Sequence, residues 1–155
     1  MLKVAPRQAP DYEEDFAGWA WAQAELLASR RFAELDLPNL IDEVNGLPQS
    51  EWNAIESNLL VVLTHLLKSH HQPSQRKGGW QASIREHRRR VRRLISKNPS
   101  FAPKLAEEVL EQYPLAHIRA AEETGLDYET FPEDCPFTRE QVLDPEWLPD
   151  AAEGA

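Results

Sequence analysis

Along the chain, apolar residues recur mostly at intervals of three and four, and no stretch alternates in the manner of a strand. Phe16, Trp19, Ala20, Gln23, Leu26 and Leu27 form a first face. Leu40, Ile41, Val44 and Leu47 form a second, short one over 38–45, which Gly46 and Pro48 are expected to end. From Ser50 a central helix is predicted to Gln72, with Trp52, Ile55, Leu59, Val62, Leu63 and Leu66 as its stripe. Seven of the nine residues 59–67 are apolar, so this helix is expected to be surrounded on nearly every side. Trp80, Ile84, His87, Val91, Leu94 and Ile95 mark a further amphipathic helix, broken at Asn98-Pro99. Phe101, Leu105, Val109, Leu110 and Tyr113 mark the next. Pro114 predicts a kink or a junction near Gln112, and Gly125 a stop.

Beyond Leu126 the prolines at 132, 136, 145 and 149 exclude long regular structure. Only a short helix over 138–143, capped by Thr138, is predicted there. Tyr128, Phe131, Phe137, Leu143, Trp147 and Leu148 suit a tail that wraps the bundle. The expected architecture is therefore all-α: a single-domain bundle of about five helices around the central one, with a Pro-rich C-terminal wrap. Residues 1–10 read as a loose arm, 11–149 as the helical domain and 150–155 as a disordered C-terminus. Asp11 is expected to cap the first helix, with Glu13, Glu14 and Asp15 in its first turn.

Composition narrows the classes. The longest uninterrupted apolar run, Leu59 to Leu63, is far shorter than the ~20 residues of a membrane span. No apolar run follows Met1, which argues against a secretory signal. Cys135 is the sole cysteine, which excludes an intrachain disulfide or a Cys-based zinc site. A cytoplasmic protein without a membrane association is expected. The net charge of −9 is distributed unevenly: residues 76–97 hold nine Lys or Arg against Glu86 alone, a local +8 that leaves −17 elsewhere.

Two constellations could carry chemistry. Asn58, His65, Lys68 and Gln72 fall in one narrow sector of the central helix, a polar seam on an otherwise apolar rod. With Glu43 as a carboxylate, His65 and Lys68 could form an acid–base or metal site; the competing reading is a buried network that fixes helix register. Five histidines are present, but no HExxH or Glu-x-x-His pair accompanies them, so no metal or other cofactor is assigned. The second constellation is Arg85, Arg88, Arg89, Arg92 and Arg93, which could grip nucleic-acid phosphates. No aromatic residues interleave with these arginines, and the overall negative charge opposes a polyanion.

Several short runs are familiar in combination. They are Asp15-Phe16 with Trp19, Leu35-Asp36-Leu37 with Asn39-Leu40-Ile41 and Glu43, and His65-Leu66-Leu67-Lys68 with Gln72-Pro73. Trp80 with Ile84-Arg85-Glu86 and Arg88 follows, then Glu123-Thr124-Gly125-Leu126. Phe131-Pro132-Glu133 with Cys135-Pro136, and Leu143-Asp144-Pro145 with Leu148-Pro149, complete the order. Over about residues 11–149 the chain thus resembles the DUF29 family. The resemblance implies a bacterial all-α protein without an established biochemical function, and it brings no catalytic residues to transfer. Ser69 and His71 depart from the aromatic residues many members carry there, so a site needing His71 would not be family-wide. The leading expectation is a non-catalytic interaction or structural protein with an unknown protein partner and oligomeric state. The alternatives are a nucleic-acid-associated protein using the basic helix 80–97, and an enzyme or metal protein centred on Glu43, His65 and Lys68.

Overall fold

The computed structural model describes residues 10–75 and 78–152. The expected arm at 1–10 therefore lies outside the described residues except for Pro10, and of the expected C-terminus only 150–152 are described, where the Ala152 N–H donates to the His70 carbonyl at 2.8 Å. Among those described, all regular structure is helical: α1 (Phe16–Ala28), α2 (Leu37–His71), α3 (Gly78–Lys97), α4 (Leu105–Thr124) and α5 (Arg139–Leu143). Short 3-10 turns occupy Phe32–Glu34, Pro73–Gln75, Pro99–Lys104 and Tyr128–Thr130. The chain divides into two compact units after Gln49.

In the N-terminal unit the cap of α1 is Asp15, not Asp11. Its carboxylate accepts the Gly18 N–H at 2.9 Å, while Asp11 accepts the Glu13 N–H at 2.9 Å and holds the preceding residues in a turn. Glu13 and Glu14 therefore precede the helix instead of entering its first turn. Gly18 permits this cap, because a Cβ there would collide with the Asp15 carboxylate. Trp19 and Leu26 are buried together with Gln23. Trp19 Nε1 donates to Asp36 (3.0 Å), whose own N–H donates to Gln23 Oε1 (2.9 Å). A T-shaped contact with Tyr12, 4.8 Å between centroids, packs the other side of Trp19.

The two helices expected at 38–45 and 50–72 are one helix of 35 residues. Gly46 keeps a negative φ, and Gly125 is the only described glycine with a positive one. Pro48 lies inside α2 and has no N–H for the Val44 carbonyl, a loss worth ~3 kcal/mol in a helix interior. Val44 is 56% exposed, so water can take that carbonyl and the helix continues.

In the C-terminal unit, α2 is enclosed as its composition predicts. Within 59–67 every residue except Val61 and His65 is buried. Ile55, Leu59, Val62, Leu63, Leu66 and Leu67 meet Ile84 and Val91 of α3, Val109, Tyr113, Ala116 and Ala120 of α4, and Phe131, Phe137 and Val142 beyond it. Each large aliphatic residue so buried contributes roughly 1.5–3 kcal/mol. Helix α4 runs through Pro114 without interruption. Gly125 ends it with φ +70°, donating its N–H to the Ala121 carbonyl at 2.9 Å. The Pro-rich segment wraps this core. Tyr113 Oη donates to the Pro132 carbonyl (2.6 Å), and Thr138 caps α5 in a reciprocal box with Gln141.

Candidate functional site

The polar seam of α2 is closed by α3 and α4. Lys68, only 6% exposed, donates to Glu123 Oε2 at 2.6 Å. Its ammonium also sits 4.5 Å from the Trp80 ring centroid, a cation–π contact. His65 faces the same Trp80 with centroids 6.5 Å apart. Burial, and then the Lys68 charge, hold the His65 imidazole below its ordinary pKa of 6.5. Its Nδ1 has no hydrogen-bond partner among the described residues. Two turns before His65, Asn58 Oδ1 lies 2.7 Å from His87 Nδ1 on α3. One turn after Lys68, Gln72 Nε2 donates to the Thr124 carbonyl at 3.3 Å.

Glu43 belongs to the N-terminal unit, where its carboxylate accepts the Tyr12 hydroxyl and pushes that phenol up to about 12. Lys68 thus takes its countercharge from Glu123, not from Glu43. Glu123 escaped the helix-pattern reasoning, since it lies on the half-exposed side of α4. It does belong to the Glu123-Thr124-Gly125-Leu126 run, the one signal that pointed to it.

The five candidate arginines of α3 separate into two kinds. Arg88 is 1% exposed and acts as a clasp on the C-terminal wrap. Its Nε, Nη1 and Nη2 donate to the carbonyls of Val142, Trp147 and Gln141 at 2.7, 2.7 and 2.8 Å. Desolvation lowers its pKa to about 10. Arg85, Arg89, Arg92 and Arg93 are exposed. Arg89 and Arg90 share Glu86 and bring that carboxyl down to about 2. Lys97 reaches across to Glu51 at 2.7 Å, and Arg93 adds to its field there.

Among the described residues no three His, Cys, Asp or Glu side chains gather as a metal site. None of the described helices is long and apolar enough to cross a membrane. The architecture and closed seam define an all-α helical protein. The model of the family described as "Domain of unknown function DUF29" matches residues 12–148, and the chain belongs to that family. No curated protein and no solved structure matches it.

Proposed function

We propose that the chain is a non-catalytic interaction protein in which the α2 seam is a lock and the N-terminal unit receives a partner polypeptide. One observation carries the docking role. Leu37, Ile41, Val44 and Leu47 follow one another at intervals of four, three and three along α2, each at least 53% exposed. Phe16 and Leu27 of α1 are also exposed. Uncovered apolar side chains in such a row characterise docking surfaces. Residues 10–49 carry nine acids against Arg30 and Arg31. An amphipathic helix with an apolar face and basic flanks is therefore the partner this unit suits.

Calorimetric titration of the full chain with two synthetic amphipathic helices, one of Leu and Lys and one of Leu and Glu, tests this. The Leu/Lys helix is expected to bind, more weakly in high salt, and the Ile41→Glu/Val44→Glu double variant to lose it. Binding by neither peptide, or equal binding by the variant, overturns the reading. So does a stable dimer of the chain that the double variant dissolves.

The other readings have less support. The Glu43 carboxylate is occupied by Tyr12, and Lys68 by Glu123 and Trp80, so an acid–base role at that seam would rest on the His65 imidazole alone. A nucleic-acid surface on α3 would lack Arg88, which holds backbone carbonyls.

A further inference from the structure

The outer side of α3 has charge that the lock does not use. Arg85, Arg89 and Arg92 stand at intervals of four and three, forming one row roughly 10 Å long by helical rise. Together with Arg88, Arg93, Pro145 and Glu146 they line a groove of about 490 Å³, the volume of a small-molecule site. Its charge is only partly neutralised: Asp144 acts on Arg88, and Arg93 on Glu51. The bonds of Arg88 go to neutral carbonyls. Glu86 is divided between Arg89 and Arg90. Among the described residues Arg85 and Arg92 have no carboxylate partner. Beside it, an apolar recess of about 260 Å³ lined by Val91, Ile95, Leu105 and Leu143 shares Arg92 as a wall.

We propose that this groove binds a small molecule bearing two or more linked phosphates. Guanidinium groups match phosphate oxygens with paired, charge-assisted hydrogen bonds, and a row of them suits an oligophosphate better than a single anion. Glu146 sets the orientation. Its carboxylate repels phosphate but accepts from a hydroxyl or amine, so one end of the ligand is anionic and the other a donor. The recess beside Arg92 then receives the uncharged moiety, a combination that a nucleoside di- or triphosphate supplies. A nucleic-acid strand, anionic along its whole length, meets Glu146 and the net −9 of the chain as repulsion.

Titration of the full chain at low salt with pyrophosphate, ATP, adenosine and a 20-nucleotide single strand provides the test. Pyrophosphate and ATP are expected to saturate one site, and adenosine alone not to bind. The Arg85→Ala/Arg92→Ala double variant is expected to weaken both by about tenfold or more, since each substitution removes charged hydrogen bonds. Its melting temperature should be unchanged, because neither side chain has a described carboxylate partner to lose. ATP binding tighter than pyrophosphate, with Glu146→Gln erasing the difference, places a nucleotide in the groove. Equal affinity assigns the same groove to inorganic oligophosphate. Absence of binding by either, binding indifferent to the double variant, or a strand that outcompetes ATP overturns the proposal.

Discussion

Lys68 and Glu123 are 55 residues apart in sequence and 2.6 Å apart in space, and they tie the end of α2 to the end of α4. The two ends of the pair are unequal, because Lys68 is buried while the Glu123 side chain is 48% exposed. Removing the carboxylate strands a buried ammonium; removing the ammonium releases a carboxylate to water. Glu123→Gln is therefore expected to lower stability by about 1–3 kcal/mol, discounted for the exposed partner, and Lys68→Met by less than about 1 kcal/mol. Urea unfolding of both variants measures this. A larger loss for Lys68→Met would show that the seam is not a lock.

The Arg88 clasp makes a separate prediction. Lysine in its place supplies one point of donation where the guanidinium supplies three, so Arg88→Lys is expected to recover little. Both Arg88→Lys and Arg88→Ala should lose about 3 kcal/mol or more, since each buried carbonyl left unsatisfied costs roughly 1–3 kcal/mol. Limited proteolysis should then cut within 138–148 well below the melting temperature. A wrap as resistant as in the parent would contradict the assignment.

Histidine burial sets a pH dependence. His65, His71 and His87 are all held below 6.5, with desolvation as the largest cause in each. The unfolded chain therefore binds protons first as the pH falls. Stability is full above about 6.5 and declines as acidification proceeds towards the lowered folded values. The carboxyls that ion pairs or hydrogen bonds depress, such as Glu51 and Asp36, add their losses only below about 4.5. Unfolding midpoints between pH 7.5 and 5 should fall, with a smaller slope in His65→Gln; parallel slopes would remove His65 from the account.

Two glycines should respond in opposite directions. Gly125 has φ +70°, where a Cβ is strained, so Gly125→Ala is expected to cost about 1–2 kcal/mol. Gly46 is helical with nothing within 4 Å of its would-be Cβ, so Gly46→Ala should gain up to ~1 kcal/mol. Thermal melts of the two variants decide, and a loss at Gly46 would question the continuity of α2.

Much of this fold was legible because the determining signals are local. The enclosed run from Leu59 to Leu67, the amphipathic repeat from Trp80 to Ile95, the stop at Gly125 and the Thr138 cap each follow from residues within a turn or two. The continuity of α2 was not legible. Gly46 and Pro48 are ordinary stop signals, and only exposure of the Val44 carbonyl's surroundings makes the missing bond tolerable. The seam was visible as a sector of the α2 helix, but its partners were not. Periodicity says which face a residue occupies, not which distant carboxylate arrives there, so Glu123 took the place expected for Glu43. Arg88 was misleading for a related reason: guanidinium in a run of arginines looks solvated until the carbonyls that receive it are known.

Those carbonyls have a consequence for how the protein tolerates change. Every acceptor that Arg88 grips in the wrap is a main-chain oxygen, and any amino acid supplies one. The clasp recognises the path of the tail and not the identities of Gln141, Val142 or Trp147. Sequence drift along that stretch can leave the fastening intact, while a one-residue insertion or deletion between Val142 and Trp147 would displace the Trp147 carbonyl from Arg88 Nη1.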